Sequence, residues 1–231
     1  MISPKPPTLT FDHIAIAAAR LGEGIDFVEE TLGVRMPLGG KHPIMNTHNA
    51  VMRLGDGIYL EVIAIDPEAG PPHRPRWFGL DDPKLQSRLT ALGPCLVAWV
   101  VRSDDLAVSL QAGQGDLGVA LAMSRGSLSW QIGVHPDGLP GMGGLLPTVI
   151  QWPAGEHPTQ RMSDQGVRFG GLTLRAPKPE HLRTALTRIG AEKLADIKPY
   201  RRSALPLEAI FIRPDGLAAS ISGGDWATAS G

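Results

Sequence analysis

Several absences narrow the chemistry open to this chain. It has one cysteine, Cys95, in 231 residues, so neither an internal disulfide nor a cysteine-rich metal cluster can form. Cys95 sits in "CLVAWVV", the setting of a small buried hydrophobe, and no histidine is placed beside it for thiol catalysis. An excess of one charge is also missing. The 22 Lys and Arg face 23 Asp and Glu, and the basic residues are scattered apart from Arg201 and Arg202, which gives nucleic acid or an anionic membrane nothing to hold. No apolar run approaches the ~20 residues of a bilayer-spanning helix. The N-terminal "MISPKPPTLT" lacks a basic segment followed by an apolar stretch, which argues against a secretory leader and for the cytoplasm. There is no G-x-S-x-G elbow, no G-x-x-x-x-G-K-[ST] loop and no H-E-x-x-H helix. "GMGG" at 141–144 follows Pro140 and precedes no strong helix, so it is a weak dinucleotide signal.

What is present is a globular mix, 42% hydrophobic and 19% charged, without the signature of disorder. The 28 glycines and 21 prolines lie between periodic segments, which predicts many short elements joined by tight turns. Four segments carry helical spacing. In "GEGIDFVEETLG" Ile25, Val28 and Leu32 share a face that Gly33 closes. In "DPKLQSRLTALG" Asp82 caps, Pro83 takes the first position and Leu85, Leu89 and Leu92 form a stripe. "SDDLAVSLQAG" offers Ser103 or Asp104 as its cap, and "KPEHLRTALTRIG" repeats the design up to Gly190. Three of the helices follow strand candidates, "DHIAIAA", "CLVAWVV" and "FGGLTLRA". Further strands follow each helix, such as "THNAVMRL" and "IYLEVIAI" around the hairpin-like "GDG". "GDGIYLEVIAID" near residue 60 parallels "PDGLAASISGGD" near residue 220.

The chain therefore reads as an α+β protein of tandem βαβββ modules. A curled mixed sheet encloses a cavity with helices outside, and a shorter third βα-ββ unit is added. The expected boundaries are residues 8–70 for the first module, 71–93 for a connecting segment with a helix, 94–153 for the second module and 154–231 for the third unit. All of them belong to one compact domain.

Strand alternation assigns faces. Ile14 and Ile16 share one side of the first strand, and His13, Ala15 and Ala17 the other. Leu60, Val62 and Ala64 go with the helix, leaving Tyr59, Glu61 and Ile63 opposite. Ala50, Met52 and Leu54 do the same, leaving Thr47, Asn49, Val51 and Arg53. One concave face thus carries His13, Glu61, Asn49, Arg53 and Tyr59, the sparse polar set of a small-molecule pocket. Gln151 is expected there with Val149, whereas His48 and Trp99 fall on the helix side. His13 and Glu61 can be a hydrogen-bonded pair filling a polar core. Arg53 either pairs with Glu61 or receives a substrate carboxylate. Trp77, Trp130 and Trp152 are candidates for a cavity mouth.

The "DHIAIAA" opening, the DG-x-x-x-E strand and the repeated βαβββ pattern resemble the vicinal oxygen chelate superfamily of glyoxalases, extradiol dioxygenases and bleomycin-resistance proteins. "GG-x-HP…T-x-N", "YLEVIAID" and "LPTVIQW…HP" resemble its glyoxalase-like branch. The resemblance implies a divalent metal held by first-strand and last-strand residues of two modules. The first module would supply His13 and Glu61, but Leu96 and Gln151 stand at the corresponding places in the second, and Gly171 and Ser220 in the third. His42, His157 or Gln151 would have to complete the set, for Zn, Mn, Fe or Ni. The implied function is a lyase, isomerase or dioxygenase-like enzyme on a small molecule, with Glu61 and His13 catalytic and Asn49, Arg53, Tyr59 and Gln151 touching substrate. The alternative is a metal-free sequestering protein like the bleomycin-resistance proteins. The expected partner is a small-molecule ligand, with neither nucleic acid nor membrane, and homodimerisation through the sheets is compatible with the resemblance.

Overall fold

A computed structural model describes residues 8–126, 128–155, 157–202 and 204–224. Residues 1–7, the larger part of the N-terminal stretch discussed above, lie outside them. The first module runs β1 (Leu9–Ala17), α1 (Leu21–Leu32), β2 (Leu38–His42), β3 (Thr47–Gly55) and β4 (Ile58–Ile65). Helix α2 (Pro83–Leu92) connects it to β5 (Cys95–Ser103), α3 (Leu106–Gly113), β6 (Val119–Arg125), β7 (Leu128–Val134) and β8 (Thr148–Gln151). These eight strands form one sheet in the order β2-β3-β4-β1-β5-β8-β7-β6. β1 and β5 pair antiparallel at its centre, and β1–β4 and β5–β8 are parallel pairs on either side. The two halves are therefore related by an approximate twofold axis between β1 and β5. The outer strands β2 and β6 approach each other, so the sheet nearly closes.

The third unit is β9 (Arg168–Ala176), α4 (Pro179–Ile189), β10 (Asp196–Pro199), β11 (Leu207–Ile212) and β12 (Ala218–Gly223), a separate sheet in the order β10-β9-β11-β12. Its β10, a four-residue strand that contains a proline, is an element the alternation pattern does not reveal. The sheet packs on the helix side of β5. Gly223 lies so close that an added Cβ would overlap the Leu96 carbonyl.

Two cores result. One joins the convex face of the large sheet to α1, α3, α4 and the third unit, with Ile14, Ile16, Val28, Leu60, Trp99 and Phe211 buried together. The other fills the concave side with Ala15, Ala17, Ile63, Val97, Val100, Trp77 and Trp130. The alternation predicted for the first module is the one found. All four helices form where the spacing places them, with Asp82 capping α2 through Lys84 N and Gly33 closing α1 in the left-handed region. The cap of α3 is a correction. Asp105, rather than Ser103 or Asp104, accepts from Val108 N, because the chain stays extended through residue 105. No described helix is long and apolar enough to cross a membrane.

Candidate active site

The segment "FDHIAIAA" at 11–18 holds a break in alternation. On β5, Phe11 faces Val101 and His13 faces Val100, so Asp12 is an extra residue in β1. Such a bulge turns its residue out of the regular alternation. Phe11 joins the helix-side core, while Asp12 turns to the same side as His13. There the fully buried Asp12 carboxylate accepts from His13 Nδ1 at 2.6 Å, Trp152 Nε1 at 3.0 Å and His157 Nε2 at 3.1 Å. Arg102 lies 3.8 Å away. Burial pushes this carboxyl upward, but the hydrogen bonds from His13 and His157 and their attraction prevail and hold it at about 2. Asp12 is thus an acceptor only, and it fixes the proton of His13 on Nδ1. His157 follows the same logic, with Nε2 donating to Asp12 and Nδ1 accepting from the Thr159 hydroxyl at 2.7 Å.

In the neutral imidazole, His13 Nε2 is then the nitrogen left without a proton, on the side of Glu61 Oε2 at 3.6 Å. Its ring stacks on buried Tyr59 with centroids 4.4 Å apart. Glu61 Oε1 accepts from Asn49 Nδ2 at 2.5 Å, and Asn49 Oδ1 accepts from Gly40 N at 3.0 Å and Arg125 Nη1 at 2.8 Å. A polar chain therefore crosses the concave face from Arg125 through Asn49, Glu61 and His13 to Asp12. His42, buried beside it, bonds Thr47 Oγ1 at 3.1 Å, and burial followed by the nearby Arg125 charge lowers it to about 3.

The inner cavity measures about 30 Å³ and is walled by His13, Glu61, Asn49, Arg125, Trp77 and Trp130, among others. The segment after β8 contributes Trp152, Pro158 and Met162 to its wall. Trp152 is also part of an outer cleft of about 430 Å³, and Arg125 and Met162 part of another of about 390 Å³.

His13, Glu61, Asn49 and Tyr59 thus converge, as do the aromatics Trp77, Trp130 and Trp152. Arg53 does not pair with Glu61. It bonds Asp56 and the Gly55 carbonyl at the end of β3 and lines both outer clefts. Gln151 is turned away from the cavity, accepting from Leu106 N at 2.8 Å and donating to Asp104 O at 3.2 Å at the start of α3. Its neighbour Ile150 takes the cavity side, and Val149 the helix side. Asp12 and Arg125 were missed by sequence reasoning; the bulge hid the first, and only sheet closure brings the second to the site.

The donor set can be tested against a divalent metal. Among the described residues no three His, Cys, Asp or Glu side chains are grouped to hold an ion. The second module presents Ala98 and Val100 to the concave side, with Leu96 buried under the helices. Ile132, Ile150 and Trp130 complete the cavity wall, and neither Gly171 nor Ser220 of the third unit lines it. His42 and His157 are committed to Thr47 and Asp12. Resident zinc, iron or manganese takes at least three protein ligands. The residues present do not fit one.

The glyoxalase-like domain model matches residues 11–190. The chain belongs to the glyoxalase-like domain family. This places it in the vicinal oxygen chelate superfamily. Among solved structures, this glyoxalase-like chain is similar to a hypothetical protein from Staphylococcus aureus at TM-score 0.54 and 13% identity, covering 94% of this chain and 87% of that one. It is also similar to a mutant of 4-hydroxymandelate synthase from Streptomyces coelicolor at TM-score 0.50 and 13% identity, with 96% and 66% covered. Methylmalonyl-CoA epimerase from Mycobacterium tuberculosis aligns at TM-score 0.40 and 20% identity over 66% of this chain and 93% of that one. At such identities the likeness to the first two is one of fold. No curated protein matches the chain.

Proposed function

We propose that this glyoxalase-like protein is a metal-independent enzyme that moves a proton on a small molecule, as an isomerase or lyase does. The observation that carries this reading is the Asp12–His13 pair, 2.6 Å apart and buried, with His13 Nε2 open to the cavity. A carboxylate behind one imidazole nitrogen fixes the tautomer and leaves the other nitrogen as the base, the logic of histidine bases in acyl-transfer enzymes. His13 takes a proton from the bound molecule at Nε2. The imidazolium so formed lies between Asp12 on one side and Glu61, 3.6 Å from Nε2, on the other. Return of that proton to a different atom of the substrate completes an isomerisation; a leaving group departing first gives an elimination. Tyr59 and Asn49 hold His13 and Glu61 in position, and the apolar walls exclude water.

A second reading, sequestration without turnover, draws on the three tryptophans around the cavity. It requires no base. Solvent exchange separates the two: small C–H acids (ketones, 2-oxo acids and thioesters) are incubated with protein in D₂O and followed by proton NMR. The enzyme reading expects exchange of at least one class that falls by about 10²–10⁴ in His13→Ala. Binding of such compounds without exchange, or exchange unchanged in His13→Ala, refutes it.

A further inference from the structure

The proton-transfer reading leaves the molecule acted upon open, and Arg125 narrows it. This residue ends β6 and reaches across the seam where the sheet nearly closes, into the wall shared by the inner cavity and the 390 Å³ cleft. Its Nη1 donates to Asn49 Oδ1 at 2.8 Å and lies 3.5 Å from His42 Nε2. Among the described residues no carboxylate pairs with it, and its Nη2 and Nε donate to none of them. Arg53 and Arg76, by contrast, are each matched by an aspartate, Asp56 and Asp81.

The surroundings keep that charge available. Asn49 stands between Arg125 and Glu61, so a neutral amide spaces the cation from the one carboxylate able to quench it. Asp12 is saturated by His13, His157 and Trp152. The backbone is also cleared for this arrangement. An added Cβ at Gly39 would strike Asn49 Oδ1, and one at Gly40 would come within 2.8 Å of Arg125 Cδ. Two successive glycines thus let the amide and the guanidinium pass through the seam. His42, held neutral by burial, adds no competing cation.

We propose that the site takes a small monocarboxylate with an apolar body, a claim about substrate class that rests on the proton-transfer reading. The open edge of the Arg125 guanidinium holds the carboxylate in the bidentate manner that this fork favours. The inner space of about 30 Å³ has room for little more than a water molecule, so only the reacting end enters it. The body lies in the adjoining cleft, whose wall includes Val51, Leu128, Pro158 and Met162. Arg53 and Arg161 also line that cleft, Arg53 matched by Asp56, but Arg125 is the one of the three that also walls the inner cavity beside His13.

The test uses hexanoate, its neutral counterpart hexanamide, and acetate, titrated against the full chain by calorimetry and by the fluorescence of the cavity tryptophans. The expected result is saturable hexanoate binding, at least about tenfold tighter than hexanamide or acetate. Arg125→Gln loses that preference while still binding hexanamide, which with an unchanged circular dichroism spectrum shows that the fold survives. Arg125→Lys, which keeps charge without the fork, is intermediate. No hexanoate binding, equal binding of hexanamide, or an unchanged preference in Arg125→Gln overturns the inference. Preferential hexanoate binding without any His13-dependent exchange in D₂O defeats the enzyme reading alone, whereas exchange confined to uncharged C–H acids defeats the carboxylate claim alone.

Discussion

Replacing Asp12 by asparagine changes one atom and one charge at the centre of the site, and its outcome follows from which neighbours can adapt. Asp12 receives three N–H groups, from His13 at Oδ1 and from Trp152 and His157 at Oδ2. An asparagine amide offers one oxygen and one NH₂. Indole N–H is a donor only and cannot turn acceptor, so the oxygen must stay toward Trp152. The NH₂ then meets His13 Nδ1, which has to give up its proton, and the ring switches to the tautomer with the proton on Nε2. The base is lost while the shape is kept. In stability, the depression of Asp12 from 3.8 to about 2 corresponds to about 2 kcal/mol at neutral pH. Because the folded value is the lower one, this contribution is complete above the unfolded value and disappears as pH falls through about 2. Asp12→Asn should therefore melt about 4–8 °C below the parent at neutral pH, on the scale for a chain of this length. Its exchange activity should fall by at least about 10². Thermal denaturation and exchange in D₂O measure the two effects. A variant that melts with the parent and still exchanges its substrate would refute the assignment of Asp12 as the group that orients His13.

Other perturbations separate structural from functional roles. Gln151→Ala removes the acceptor of Leu106 N at 2.8 Å and should cost about 1 kcal/mol in urea unfolding with ligand affinity unchanged; a loss of affinity at unchanged stability would return Gln151 to the site. His42, depressed by burial to about 3, should make the parent lose stability by about 1.4 kcal/mol per pH unit as pH falls from about 6.5 toward 3, and His42→Asn should flatten that slope in acid titrations of the melting temperature. Gly223→Ala, whose Cβ would overlap the Leu96 carbonyl, should destabilise by about 3 kcal/mol, and a neutral effect would mean that the third unit does not pack closely on β5. The Cys95 thiol, pushed up to about 11 by burial, should resist thiol reagents until the protein unfolds.

The first module was legible because β1 from His13 onward, β3 and β4 alternate regularly over most of their length. Ile14 and Ile16, Leu60 and Val62, and Ala50 and Met52 sort to the helix side, and that sorting alone predicts the face on which His13, Glu61, Asn49 and Tyr59 meet. Where alternation breaks, the reading breaks with it. The bulge at Asp12 places two consecutive residues on one side, and no pattern of letters distinguishes it from a regular strand. The last strand of the second module, Thr148–Gln151, is four residues long, too short to anchor parity, so Gln151 and Ile150 exchange faces relative to the expectation. Arg53 sits at a hairpin end, where the nearest carboxylate, Asp56, outcompetes the distant Glu61. Arg125, Trp152 and His157 reach the site through sheet closure and through the segment after β8. These contacts span up to 145 residues of sequence, and local patterning carries no information about them.

The central claim is that Asp12 sets His13 as a bare-Nε2 base in a pocket that does not hold a divalent metal. It is tested most directly by the ring-nitrogen chemical shifts of His13 in the full chain, assigned with His13→Ala and recorded before and after stoichiometric Zn²⁺. The account predicts a protonated Nδ1, an unprotonated Nε2 and shifts that Zn²⁺ leaves in place. A proton resident on Nε2, or stoichiometric displacement of the His13 signals by the metal, would contradict it.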